Sequence, residues 1–458
     1  MALTALSGCT TDPNTYKAAV EDPELFRATV KNLTDIIVYD IFSPPVASRI
    51  YTYPSIAAYE VIAQADTRFK SLAGQAHDFT PIPTPEGEVS YPIAATQAYI
   101  ATGRRLIFSE ERMYAYEAEV EKRYAEAGVP GSLVKASMAY GEKVAEHILA
   151  WSKGDNYHET RTFPRYTVTE TDGRWTPTPP DYMDAIEPHW NQMRTFIIDS
   201  ATQFAPVRPP AYSMDPTSKF YKDLMVVYET SINLDEEQKE IAQFWDCNPF
   251  VSHHKGHVMF ATKKITPGGH WIGITDITTR KAEDDFAETI HTYMRVSIAL
   301  ADAFISCWDE KYRSNLIRPE TVINAEMDPD WAPLLQTPPF PEYTSGHSVI
   351  SSAAAIALTD IYGEGFAFTD STEVEYGLPV REFDSFLDAS SEAAISRLYG
   401  GIHYMPAIDE GVAQGKKVGH YIVKNLETYV GDKMATSGKY GEDRTLRREG
   451  AKMNHGLH

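Results

Sequence analysis

The chain has 458 residues, 43% of them hydrophobic, which allows a substantial core in one large unit or in two to three ordinary ones. Its formal charge of −22 sets up a field that repels phosphate backbones and anionic headgroups, and so argues against nucleic acid or an acidic membrane surface as partner. No apolar run reaches the ~18 residues that a membrane-crossing helix needs, which excludes an integral membrane lipid enzyme.

Near the start, Ala5-Leu6-Ser7-Gly8-Cys9 has the small-residue pattern that precedes the lipidated cysteine of bacterial lipoproteins, without a basic stretch before it. Residues 1–18 are expected to be the remnant of a truncated signal plus a tether. Cys9 would then be a lipid anchor, and the protein an exported one, periplasmic or anchored at the outer membrane. Asp22 followed by Pro23 predicts a helix start, with Leu25, Val30, Leu33, Ile36 and Ile37 at helical spacing and Pro44-Pro45 as its end. A second helix runs through Ile50, Ile56, Tyr59 and Ile62. A proline-rich connection over 79–92 leads to three more, over 93–108, 111–127 and 133–152. The segment 156–210, dense in Pro, Thr, Trp and Tyr, is too long for a plain loop and is expected to wrap the surface or roof a pocket.

The second half is again helical. Asp235-Glu236-Glu237-Gln238 reads as a capping box, and a long helix from Glu283 carries Phe286, Ile290, Tyr293, Leu300, Phe304 and Trp308 on one face. Few runs alternate with period two, so the fold class is all-α. We expect one domain over 19–430, with its chemistry in 244–409, and a polar, mobile tail over 431–458. Cys247 and Cys307 are expected to be buried free thiols rather than a disulfide. His253, His254 and His257 have spacing that could hold zinc on a helix, but Gly256 intervenes and no carboxylate or cysteine stands close by. His455 and His458 sit in the tail and carry no reading.

Three stretches concentrate charge and histidine. Pro339-Phe340-Pro341-Glu342-Tyr343-Thr344-Ser345-Gly346-His347-Ser348 runs into an apolar helical pattern, so Ser345, Gly346 and His347 stand at a helix start. There the first N–H groups lack internal partners and carry the positive end of the dipole, glycine lets an oxyanion approach, and the serine hydroxyl adds a donor. Alone, this equally describes an ordinary loop-to-helix cap. Upstream, Lys311-Tyr312-Arg313-Ser314-Asn315-Leu316-Ile317-Arg318-Pro319 sets a lysine and an arginine seven positions apart. Downstream, Ser396-Arg397-Leu398-Tyr399-Gly400-Gly401-Ile402-His403 sets an arginine and a histidine six apart across a glycine pair. Permanent cations, a serine, a glycine N–H and two histidines together suit a highly charged tetrahedral oxyanion.

In this order the three motifs resemble the signature shared by the vanadium-dependent haloperoxidases and the type 2 phosphatidic acid phosphatases. Trp308 and Phe340 stand where the chloroperoxidase branch has Trp and Phe; the algal bromoperoxidases have histidine at the second place. The chain looks most like the bacterial haloperoxidases, particularly the vanadium-dependent iodoperoxidases. That resemblance implies two four-helix bundles side by side, and vanadate bonded through His403, with Lys311, Arg318, Arg397, Ser345 and Gly346 holding its oxygens and His347 as acid and base. It implies a halide, iodide foremost, oxidised by hydrogen peroxide to hypohalous acid, with Trp308 and Phe340 as halide-pocket candidates and an organic acceptor as a further small-molecule partner. Two departures stand out: Thr344 replaces the proline usual before Ser-Gly-His, which loosens the expected backbone, and Asn248, with Asp246 near it, replaces the carboxylate that pairs with a vanadate-binding arginine.

Two other readings remain open. Phosphate fits the same site, and a soluble acid phosphatase would use His403 as the nucleophile of a phosphohistidine. A non-catalytic, ligand-binding surface lipoprotein would explain the amino-terminal pattern and the aromatic segment, but leaves the three cations as coincidence.

Overall fold

Helix starts in this chain are marked by acidic or hydroxyl caps, often with proline just inside, where its missing N–H costs nothing. The computed structural model describes residues 13–169, 171–255 and 258–430. Its helices in the first half are α1 (Pro13–Val20), α2 (Pro23–Asp40), α3 (Pro44–Ala65), α4 (Tyr91–Arg104), α5 (Glu110–Glu126), α6 (Gly131–Ser152) and α7 (Tyr157–Thr160). The second half contributes α8 (Lys219–Ile232), α9 (Glu236–Phe244), α10 (Pro267–Lys281), α11 (Phe286–Ser314), α12 (Pro319–Glu326), α13 (Gly346–Tyr362), α14 (Phe386–Tyr399) and α15 (Met405–Asn425). Two antiparallel hairpins complete it: β1 (Val251–Lys255) with β2 (Val258–Thr262), and β3 (Phe368–Asp370) with β4 (Arg381–Phe383). The all-α reading holds, since neither hairpin organises the packing.

The cap at Asp22 and the capping box at Asp235 and Gln238 are both formed. Four readings need correction. Residues 13–18, taken as tether, belong to α1, which packs on α5 with Tyr16 buried; residues 1–12, with Cys9, lie outside the described residues, as do residues 431–458. Pro44 and Pro45 do not end a helix but open α3, because proline at the first helical positions removes only orphan donors; α2 has already stopped at Asp40, with Ile41 left-handed at φ 57°. The helix read over 93–108 stops at Arg104. The histidine cluster is not helical: His253 and His254 are in β1, and His257 lies outside the described residues.

A second capping box, Asp285 with Glu288, starts α11. With 29 residues this helix is roughly 43 Å long, and it is buried on every side almost without break from Phe286 to Lys311, not along one stripe. The cause is that two sets of helices share it. On one side α11 packs on α3, which with α4 and α6 makes one bundle, and on the other it packs on α13 and α15, which with α14 make the second. The expected pair of four-helix bundles is thus present, with one helix common to both.

Gly411, Gly415 and Gly419 recur at four-residue intervals on the face of α15 that meets α13. A Cβ at Gly411 would lie 2.8 Å from Ser348 Cβ, and one at Gly415 would run into the Val349 carbonyl, so the two backbones approach as closely as they do only because side chains are missing. This crossing sets the start of α13, where Ser345 N–H donates to the Ala407 carbonyl at 3.0 Å. Gly415→Ala is expected to destabilise the fold by about 3 kcal/mol, read as a lower urea midpoint at unchanged m-value; an unchanged midpoint would contradict this packing account.

Candidate active site

The three motifs converge because each lies at a helix end that points the same way. Lys311 is in the last turn of α11, which Asn315 closes in the left-handed region at φ 50°, its N–H returning to the Lys311 carbonyl at 2.9 Å. Arg318 occupies the cap position of α12 but makes no side-chain cap bond, leaving its guanidinium to turn inward. Ser345 caps α13, its hydroxyl accepting from Ser348 N–H at 3.4 Å. Arg397 ends α14, and Gly401 turns the chain at φ +76°, a conformation that glycine adopts freely, to deliver His403 just before α15. Gly346, His347, Arg397, His403, Trp308 and Phe340 all line one cavity of about 270 Å³.

All three cations are buried. Lys311 Nζ donates to the carbonyls of Pro341 and Glu342, both at 3.1 Å, and of Thr344 at 2.5 Å. Burial, with the Arg318 charge adding to it and outweighing the pull of Cys307 and Glu342, pushes its pKa down to about 7. Arg318 donates to the Phe340 and Ile402 carbonyls and through Nη1 to His403 Nε2 at 3.2 Å, while its Nη2 finds no partner among the described residues. Burial draws Arg318 down as well, to about 10. Arg397 donates to the Trp245 carbonyl at 2.7 Å and to Ser396 Oγ at 2.9 Å. Asp246 does not pair with it directly: its carboxylate bonds Lys264 at 3.3 Å and acts on Arg397 through space, while Asn248 Oδ1 accepts from Phe250 N–H.

Both histidines are neutral. Burial, and then the neighbouring cations, hold His403 well below the usual imidazole range. Its Nδ1–H donates to Glu342 Oε1 at 2.8 Å, so the lone pair sits on Nε2, facing Arg318. His347 is also depressed, by burial and Arg397; one ring nitrogen bonds the Trp245 backbone and Nε2 has no partner among the described residues. Glu342 lies within the Pro339–Ser348 stretch but outside its Ser-Gly-His motif. Fully buried, it also accepts from Tyr404 N–H at 2.9 Å, and burial lifts its pKa to about 7 against the pull of Arg318 and Lys311. The signal was there: a carboxylate in a Pro- and aromatic-rich run is rarely buried without a partner.

Trp308 and Phe340 meet at 5.0 Å between centroids and form an aromatic wall, with Lys311 Nζ 4.9 Å and the Arg318 guanidinium 5.1 Å from the Phe340 centroid. Segment 156–210 does roof the cavity. Met183 and Ile186 line it, and the Ile186 carbonyl accepts from Trp308 Nε1 and Tyr312 Oη. Ile41, Ser43 and Pro44 line it from the other side. The backbone at Thr344 is not loose: its hydroxyl donates to Gln414 Oε1 at 2.7 Å and its carbonyl is held by Lys311. Cys247 and Cys307 are buried free thiols.

The family profile described as the VCPO second helical-bundle domain matches residues 324–432. A crystal structure of a bacterial vanadium-dependent iodoperoxidase is 51% identical, covering 90% of this chain and 98% of that one, with a TM-score of 0.85. The chain belongs to the vanadium-dependent haloperoxidases. Holo and apo crystal structures of a bacterial vanadium-dependent chloroperoxidase, 17% and 16% identical, each cover 84% of this chain and 93% and 94% of theirs, with TM-scores of 0.63 and 0.62, and share its fold. No curated protein matches the sequence.

The residues of this haloperoxidase fit the family's vanadate. Arg318 Nη2 and His347 Nε2, both buried and without a partner among the described residues, and a histidine lone pair met only by Arg318 suit a tetrahedral oxyanion.

Two measurements follow from the electrostatics. A bound oxyanion holds Lys311 protonated and raises its pKa above the free value of about 7, so the Lys311 contribution to orthovanadate affinity is complete below that pH and lost as pH rises past it, by up to about tenfold per unit. Equilibrium titrations should give a steeper pH slope for the wild type than for Lys311→Met, in which the ionisation of vanadate itself is unchanged; equal slopes would refute the assignment. Glu342→Gln, which keeps shape but weakens the hold on His403, should lower orthovanadate affinity about 10- to 100-fold; an unaltered dissociation constant would show that Glu342 does not position His403.

Proposed function

We propose that this haloperoxidase oxidises iodide with hydrogen peroxide to hypoiodous acid, holding vanadate through His403 Nε2. The observation that carries this is the single histidine lone pair of His403, which meets the buried Arg318 and lines one cavity with Arg397 and with a neutral His347 whose Nε2 has no partner among the described residues. Iodide, the halide easiest to oxidise, is supported by the 51% identity to an iodoperoxidase.

Vanadate, when bound, supplies the Lewis-acidic centre at which peroxide is activated toward halide while keeping its oxidation state. The chain does the rest. Lys311, Arg318 and Arg397 bind the oxygens and offset negative charge, with Ser345 Oγ and the Gly346 N–H as further donors at the dipole end of α13. Glu342 fixes the tautomer of His403 so that Nε2 stays available. His347 Nε2, neutral and without a partner among the described residues, would accept a proton from peroxide and later give one back. Trp308 and Phe340 give the halide a largely dry aromatic wall, with Lys311 and Arg318 behind it attracting the anion. Beyond iodide and peroxide, the cavity of about 270 Å³, lined also by Ile41 and Met183, has room for a small organic acceptor.

Purified protein given peroxide and iodide should turn over only after orthovanadate is added in phosphate-free buffer. His403→Ala should abolish that activity, and His347→Ala should lower kcat about 10²- to 10⁴-fold with vanadate still bound. Phosphatase turnover inhibited by vanadate, without halide oxidation, would instead assign the pocket to a phosphohistidine mechanism. For location, the pattern ending at Cys9 supports an exported, lipid-anchored protein in the periplasm or at the outer membrane. Membrane association in a bacterial host should then be lost on Cys9→Ala, and its persistence would overturn the reading.

A further inference from the structure

Beside the cavity that carries Arg397 and His347, with Cys247 itself on its lining, lies a second cluster, which plays no part in the chemistry above. Three separate segments meet there: Cys247 just after α9, His270 in the first turn of α10, and Glu373 after β3. Cys247 is 2% exposed, and His270, Asp370 and Glu373 are fully buried. The cluster is joined to the active site through Trp245, whose indole stacks on the His270 ring at 4.4 Å and whose carbonyl holds Arg397.

The geometry around His270 is directional. Its Nε2 lies 2.8 Å from Asp370 Oδ2 and 2.7 Å from Thr372 Oγ1, whose own proton goes to Asp370 Oδ1, so Nε2 carries hydrogen and donates. The other nitrogen, Nδ1, is left facing Cys247 Sγ at 3.3 Å and Glu373 Oε1 at 3.1 Å, with Sγ and Oε1 3.9 Å apart. These three atoms therefore mark a triangle. Bonds of about 2.3 Å to sulfur and about 2.0–2.2 Å to nitrogen and oxygen at tetrahedral angles give edges of roughly 3.3–3.6 Å, within a few tenths of an ångström of those observed. An imidazole oriented from behind by a carboxylate, with its other nitrogen turned to a thiol and a second carboxylate, is also the usual arrangement of a metal-bound histidine and its supporting partner.

An independent observation points the same way. Glu373 Oε2, buried with its residue, has no partner among the described residues. An unsatisfied carboxylate oxygen in a closed interior is costly, and a cation or a water carried by one removes that cost. Charge agrees: a thiolate and one carboxylate neutralise a dication, whereas without a cation two carboxylates and a thiol share a single imidazole.

We propose that Cys247 Sγ, His270 Nδ1 and Glu373 form a structural metal site for a divalent cation of the zinc class, with Asp370 and Thr372 orienting His270. Buried, with Cys247 bordering the cavity but none of its ligands among the oxyanion donors, it would clamp the segment carrying Trp245, and with it Arg397, against α10. Thiolate, imidazole and carboxylate together favour zinc over magnesium or calcium, which take oxygen donors alone.

The test is elemental analysis of the full-length, vanadate-loaded protein, purified without chelator and dialysed against metal-free buffer. About one zinc per chain is expected, falling below about a tenth of that in both Cys247→Ser and Glu373→Gln. Cobalt(II) in place of zinc should give a thiolate-to-cobalt charge-transfer band in the near ultraviolet, which can be read on wild-type protein should the cysteine variant fail to fold. Wild-type protein free of zinc and without a cobalt band would overturn the proposal, leaving a metal-free ion cluster with His270 doubly protonated between Asp370 and Glu373. Zinc retained in both variants would also overturn it, because the ion would then reside elsewhere in the chain.

Discussion

Three basic side chains taken out of water with one nearby carboxylate form the constraint around which this molecule is arranged. Lys311, Arg318 and Arg397 are each nearly or wholly buried, and Glu342, the carboxylate among them, is itself lifted to about 7 by burial. In water such a set would disperse; inside a protein it persists only because backbone carbonyls take up most of its hydrogens. Those carbonyls come from the residues just before α13 and from the ends of α9 and α14, so the architecture at these helix ends serves as a solvation shell. In the site proposed above, the unmet donor capacity is what would meet the cofactor, with little reorganising left for the protein to do.

Holding that shell in register falls to α11 and to the crossing of α13 with α15. Because α11 belongs to both bundles, a shift of either one moves Trp308 and Lys311, which sit in its last turns. The glycines of α15 let α13 approach closely enough for Ser345 to be fixed through the Ala407 backbone, and Gln414 on the same helix fixes Thr344. Thr344 stands where proline is usual, and the tertiary hydrogen bonds hold the segment that a proline ring would otherwise stiffen.

The two histidines show how one environment yields two uses. Both are neutral because burial and the same cations disfavour imidazolium. What separates them is the partner of the other ring nitrogen. Glu342, a carboxylate, leaves His403 with a strongly donating Nε2 suited to a metal, whereas the Trp245 backbone leaves His347 a weaker base that can take up and return a proton.

The local chemistry of this protein was legible in its sequence. Helix class, the caps at Asp22 and Asp235, and the cation, serine, glycine and histidine motifs all rest on residue types and spacings within one or two turns, where neighbours in sequence are neighbours in space. Tertiary structure decided the rest. That Pro44 opens a helix instead of closing one, that His253 lies on a strand, that Glu342 meets His403 across some sixty residues, and that Cys247, His270 and Glu373 share one triangle are long-range outcomes. They depend on which helix ends α11 and α15 bring together, and that is set by how well whole buried faces pack, a property that no short stretch of residues carries by itself.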